Sequence, residues 1–171
     1  MGYVWHYTVG SYFDRIMESG ALLPEDELGT NAVVIQGMPG GVWFSTRQDF
    51  EPTALKLTTD QLSGKVVQLT FEESHEYHGP MLRFGVPEDS GFLINWTAFR
   101  KRCTCKSKII RRMESAAIKQ GGNVLHYRVC LGSIPVGDCA ICVWSGNSWV
   151  QARNLEHASE LVRPHSLKSR M

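Results

Sequence analysis

Two short segments near the start of the chain gather side chains suited to holding a small polar molecule. Trp5-His6-Tyr7-Thr8 and Gly40-Gly41-Val42-Trp43-Phe44-Ser45-Thr46 supply an imidazole, a phenol, indoles and hydroxyls, and each segment ends in a hydroxyl residue. Both read as strands, because aromatic and β-branched residues suit a pleated, half-buried surface. On neighbouring strands these groups would cradle a flat polar ligand; the alternative is a pair of core strands whose polar groups are satisfied internally. Trp43 and Phe44 point to opposite faces of a strand, so one meets the core and the other a cleft. Glu51 stands just before Pro52, where it either serves the positive end of a helix or stabilises positive charge developing in a reaction. Arg83, between Leu82 and Phe84, carries a planar fork suited to a pyrophosphate or to pairing with a surface acid.

Other constellations point away from metal chemistry. Cys139 and Cys142 lie three apart in a strand-like run, which sends their thiols to opposite faces rather than to one ion. Cys103 and Cys105, two residues apart, show no knuckle turn that would aim both thiolates at one point, and His75 and His78 read as solvated residues of a polar loop. Five cysteines, an odd number, several within apolar segments, fit reduced thiols in a reducing cytoplasm.

The elements that must position the opening segments follow from periodicity and turn chemistry. Gly2 to Val9 reads as a strand. Ser11 and Asp14 have capping-box spacing before Tyr12, Phe13, Ile16 and Met17 recur at helical intervals as far as Gly20, a natural helix stop. A loop from Glu25 to Gly41 holds a short strand at Ala32–Ile35, and Val42 to Ser45 forms the next strand. Pro52 suits a helix start within Arg47–Lys56. Val66–Phe71 reads as a strand, Glu72–Pro80 as a loop and Met81–Val86 as a strand. Helical patterns cover Phe92–Arg102 and the run from Ile109 to Ala117. Strands at Val124–Leu131, Cys139–Trp144 and Ser148–Ala152 follow, the last two joined by a Gly146-Asn147 hairpin. Asn154–Val162 reads as a short helix.

With 171 residues, 43% hydrophobic and 20% charged, the chain fits one globular domain over 1–162 with a tail at 163–171. Short strands interleaved with a few helices and hairpin-like links predict an α+β fold with antiparallel or mixed sheet. A net charge of +1 argues against a general polyanion-binding surface. The run Arg100, Lys101, Arg102, Lys106, Lys108, Arg111 and Arg112 reads as a solvated helix face. No stretch approaches the ~18 apolar residues of a membrane span, and no basic-then-apolar leader opens the chain, which predicts a soluble cytoplasmic protein with no membrane partner.

His6-Tyr7-Thr8 on a first strand, Gly20-Ala21-Leu22 after a helix, and Gly41-Val42-Trp43-Phe44-Ser45 on a second strand resemble, in order and spacing, the NAD-binding half of the poly(ADP-ribose) polymerase and diphtheria-toxin-like ADP-ribosyltransferase superfamily. The resemblance covers about the first third of the chain. The run Val42 to Ser45 followed by Glu51-Pro52-Thr53-Ala54 is also similar to a group of bacterial and phage-type proteins without an assigned activity. The resemblance implies a split-sheet fold, NAD as cofactor, and transfer of ADP-ribose to a protein or nucleic-acid acceptor, as in toxins and effectors. It implies that His6 meets a ribose hydroxyl with Thr8 in support, that backbone groups of Tyr7 pair with the carboxamide, and that Trp43 stacks on the nicotinamide beside Phe44 and Ser45. Apart from the resemblance, Arg83 is taken as a cofactor contact through its planar fork. The superfamily's late-strand Glu or Gln has no clear counterpart; Gln151, Asp138, Glu51, Glu72 and Glu73 are the alternatives, with Glu51 and Gln151 taken as catalytic beside His6. NAD hydrolysis, an RNA 2′-phosphotransferase of related fold and a non-catalytic binding or inhibitor protein remain the other readings.

Overall fold

The run Tyr3 to Val9 alternates large apolar groups across a strand, so both of its faces are covered and it becomes the centre of the molecule rather than its edge. In the computed structural model, which describes residues 2–27, 35–59 and 64–166, this run is strand β1 (Tyr3–Val9). Next come α1 (Phe13–Ser19), β2 (Ala21–Leu22), β3 (Val42–Ser45), β4 (Leu57–Thr59), β5 (Val66–Gln68), α2 (Phe71–His78) and β6 (Met81–Pro87). The chain continues through β7 (Ile94–Asn95), α3 (Trp96–Arg102), α4 (Ser107–Lys119), β8 (Tyr127–Cys130), β9 (Ile134–Pro135), β10 (Ala140–Trp144), β11 (Trp149–Gln151) and α5 (Leu155–Ser166).

The fold is α+β. Seven strands form one antiparallel sheet in the order β11-β10-β6-β1-β3-β8-β7, while β2–β9 and β4–β5 form two small ribbons. One face carries Val4, Phe44, Phe84, Ile141 and Val143, packed against Phe13 of α1 and against Ala158 and Val162 of α5. The opposite face divides into two aromatic patches. Trp5, Tyr7 and Cys142 gather with Phe50 and Trp149, while Trp96, Phe99, Ile110 and Val129 gather with Trp43, Met113 and Tyr127. Cys139 packs against the first face and Cys142 within the second, as strand alternation requires.

Several local expectations are corrected. The loop expected at Glu72–Pro80 is the helix α2, because Thr70 and Glu73 close a reciprocal capping box: the Glu73 amide donates to Thr70 Oγ1 at 3.1 Å and the Thr70 amide to Glu73 Oε2 at 2.8 Å. Phe71 therefore opens a helix instead of ending a strand, and its ring meets Phe50 and Trp144 edge-on. At α1 no side-chain cap forms; a 3₁₀ turn over Gly10–Tyr12 leads in, and Gly20 closes the helix at φ 67°. Between Arg47 and Lys56 the helix shrinks to the 3₁₀ turn Pro52–Ala54. The first residues expected of α3 form β7 instead, and Asn95 caps the helix by accepting from the Ala98 amide at 2.9 Å. Val124–His126 is a 3₁₀ turn rather than part of β8, and α5 extends to Ser166. The strand expected at Ala32–Ile35 lies, apart from Ile35, outside the described residues. Among the described residues no helix is long and apolar enough to cross a membrane.

Candidate functional site

The sheet is weakest at its centre. β1 pairs with β6 at seven positions and β3 with β8 at four, but β1 and β3 meet at one, Trp5 opposite Ser45. Beyond that pair the ladder is replaced by a side chain: His6 Nδ1 lies 2.9 Å from the Trp43 carbonyl oxygen. A carbonyl only accepts, so Nδ1 carries the proton and Nε2 keeps a lone pair. Burial pulls the imidazole down to about 4; the bond to Trp43 opposes this and the charge of Lys56 adds to it. His6 is therefore a neutral acceptor at physiological pH.

Two cavities flank this gap and share His6, Tyr7, Glu25, Trp43 and Lys56 in their walls. The first, about 440 Å³, lies between the two aromatic patches and is bounded by Trp43, Ser45, Glu51, Trp96, Met113 and Tyr127 among others. The second, about 420 Å³, continues past Thr8 to α1, where Tyr12 and Arg15 line it. They meet at these shared residues on the line where β1 and β3 separate, and each is large enough in volume for a small organic ligand.

Glu51 is the chemical centre of the first cavity. It is only 4% exposed. Ser45 Oγ donates to Oε2 at 2.8 Å, while Thr53 Oγ1 donates to Oε1 at 3.0 Å and itself accepts from the Tyr127 hydroxyl at 3.1 Å. The Thr53 amide adds a longer contact to Oε1, so Glu51 also caps the 3₁₀ turn that Pro52 starts. Among the described residues no Lys, Arg or His lies within ion-pairing distance of this carboxylate. Its charge is held by hydroxyl dipoles beside aromatic walls. Gly122 closes the roof: a Cβ there would sit 2.7 Å from Thr53 Cγ2 and 2.9 Å from both Glu51 Oε1 and the Tyr127 hydroxyl.

The aromatic residues divide as their strand positions dictate. Trp43 faces the first cavity, its ring 4.8 Å from Phe99 and 6.1 Å from both Trp96 and Tyr127. Phe44 is buried in the core of the other face and supports His6 edge-on at 5.9 Å. Tyr7 gives its hydroxyl proton to the Arg47 carbonyl at 2.7 Å, and burial pushes its phenol up to about 12. Thr8 is buried at the wall of the second cavity, and Ser45 is buried against Glu51.

The structure does not bring Arg83 or Gln151 into this cleft. The Arg83 guanidinium is sandwiched between Trp5 and Trp149, 4.0 and 4.5 Å from their rings, and donates to the Gln48 carbonyl. Gln151 is exposed on the edge strand β11 and borders a separate cavity with Tyr3 and Asp138. Glu73 is committed to the α2 cap, and Glu72 is exposed on the same helix. Thr53, Lys56, Gly122 and Tyr127 are site residues that sequence reasoning missed. Thr53 was within reach of the capping logic already applied to Glu51-Pro52, whereas Tyr127 joins Thr53 across 74 residues of chain. Among the described residues no group of three or more His, Cys, Asp or Glu is placed to hold a metal ion. No family model, no curated protein and no solved structure matches this chain.

Proposed function

We propose that the chain binds NAD in the cleft between β1 and β3 and transfers ADP-ribose to a macromolecular acceptor, on a split sheet of the ADP-ribosyltransferase type. The observation that carries this reading is Glu51: a buried carboxylate, oriented by two hydroxyls, without a cationic partner among the described residues and lining the same cavity as the Trp43 ring. A buried anion left without a counter-ion is unfavourable unless a ligand supplies the positive charge. The nicotinamide ring of NAD is flat and cationic, and an aromatic face next to a carboxylate suits it.

The chemistry follows from the same placement. As the bond between the ribose C1′ and the nicotinamide nitrogen breaks, the bonding pair leaves with nicotinamide and positive charge moves onto the ribose. Glu51, fixed in place before the reaction, stabilises that charge at no reorganisation cost. An acceptor oxygen or nitrogen then forms the new bond to C1′ and releases its proton. Nε2 of neutral His6 accepts a hydrogen bond from a ribose hydroxyl, fixing the sugar relative to Trp43. Backbone groups of Tyr7, on the stretch of β1 with no paired residue on β3, would pair with the carboxamide. Glu51 thereby takes the role that the sequence divided between Glu51 and Gln151.

The test is nicotinamide release from NAD by purified protein, with His6→Ala and Trp43→Ala alongside. Release that falls in both variants supports the reading. Absence of release, of self-modification and of any NAD-dependent rise in melting temperature would sink it. Release that proceeds without any acceptor reassigns the protein as an NAD glycohydrolase.

A further inference from the structure

Lys56 stands at the junction of the two cavities and lines both of them. It comes directly after the turn that Glu51 caps, at the entry to β4, so the backbone that positions the carboxylate also positions this ammonium a few residues on. Its Nζ lies 4.9 Å from the centre of the Tyr12 ring. Among the described residues no carboxylate comes within ion-pairing distance of it. An exposed lysine normally extends its head into water and covers apolar surface with its stem. Here burial lowers the proton affinity of the amine, and the Tyr12 ring face offers partial compensation. The charge also disfavours protonation of His6, which lines both cavities, and of His78 at the end of α2. Arg15 lies in the wall of the second cavity, and Glu25 in the walls of both.

We infer that Lys56 forms an anion subsite in the cleft, taking a phosphate group of the ligand and selecting a phosphorylated nucleotide over the bare nucleoside. This deepens the NAD reading and rests on it for the identity of the ligand. The anion site itself rests on the placement of Lys56. The cleft then holds two charges with no ion-pair partner among the described residues, the Glu51 carboxylate in one cavity and the Lys56 ammonium at the junction. A ligand with a cationic ring joined to an anionic phosphate chain satisfies both. A charge-assisted bond from an ammonium to a phosphate oxygen is among the stronger polar contacts a partly desolvated site can make.

The probe is inorganic pyrophosphate, titrated calorimetrically into the wild-type protein, Lys56→Met and Lys56→Arg. A further variant, Lys106→Ser with Arg112→Ser, controls for the exposed basic face of α3 and α4. The expected result is affinity weakened about tenfold or more in Lys56→Met, retained in Lys56→Arg and unchanged in the surface variant. Without ligand, Lys56→Met should melt at or above the wild-type temperature, because it removes a partly buried charge that no carboxylate among the described residues offsets. No pyrophosphate binding, equal binding by Lys56→Met, loss in the surface variant, or a Lys56→Met protein that melts well below wild type would each overturn the subsite. NAD and nicotinamide riboside separate the two claims. NAD bound equally by wild type and Lys56→Met removes the subsite and leaves the cofactor reading. Pyrophosphate bound through Lys56 without any response to NAD keeps the subsite and removes the cofactor.

Discussion

Glu51 has two duties, and they can be separated at the level of the residue. It caps the turn begun by Pro52, and it faces the cavity with its charge balanced only by hydroxyl dipoles. Glu51→Gln keeps the size of the side chain and an acceptor oxygen for one of its hydroxyl donors, but removes the charge. Nicotinamide release should fall by about 10²-fold or more, the scale of one electrostatic stabiliser in a water-poor site. The melting temperature should change little, since the hydroxyl donors already balance the charge that is lost and the amide keeps one acceptor oxygen for them. A variant that keeps full turnover, or that loses stability and activity in proportion, would return Glu51 to a purely structural role. Ser45 fits the same logic: its hydroxyl gives its proton to Glu51 while accepting from the Arg47 amide, so it holds the carboxylate rather than touching a substrate.

At the scale of elements, the site exists because β1 and β3 part after one residue pair while their outer neighbours hold them in place. β3 can lie close against β8 because Gly41 has no side chain; a Cβ there would come within 2.5 Å of Val129 Cγ1. The connection from α4 to β8 depends in the same way on Gly122, beneath which Thr53, Glu51 and Tyr127 meet. Gly122→Ala alters no polar group, yet its methyl must displace the carboxylate or the hydroxyls that orient it. Activity should drop by about 10-fold or more, as small misplacements of catalytic groups do, with a stability loss of about 1–3 kcal/mol from overpacking. Urea unfolding together with the nicotinamide assay checks both. Unimpaired turnover would mean that the carboxylate tolerates being moved and that its orientation is not what matters.

At the scale of the whole molecule, His6 ties the site to global stability. Its ring lies between β1 and the Trp43 carbonyl with Phe44 behind it, and its pKa falls from 6.5 in an ordinary setting to about 4 here. Above pH 6.5 the folded and unfolded chains both hold a neutral imidazole, and the stability linked to this residue is fully present. As pH falls from 6.5 towards about 4, the unfolded chain binds a proton that the folded chain resists, so stability declines through that window. Urea unfolding at pH 7.5 and pH 5 should show a larger loss for the wild type than for His6→Gln, which lacks the titrating ring. Equal losses would mean that His6 is protonated as readily in the fold as out of it.

The amino-acid sequence by itself determined the α+β class, the opening strand–helix–strand unit with its glycine stop, the hairpin at Gly146-Asn147, and the density of chemistry in His6, Trp43, Ser45 and Glu51. These are local facts, set by side-chain periodicity and turn preference over a few residues. The helix at Phe71–His78 was legible too, through Thr70 and Glu73, but its polar composition concealed it. What only the tertiary structure decided is which of these groups share a cleft. Arg83 had the right chemistry for a phosphate, yet pairing with β1 places it between two indoles, and Gln151 falls on an outer edge strand. Tyr127 and Gly122 reach Glu51 from more than 70 residues away, while Lys56 became a candidate only once the packing placed it in the walls of both cavities. Strand order and the parting of β1 from β3 arise from long-range packing of two sheet faces, and no short stretch of sequence carries that information.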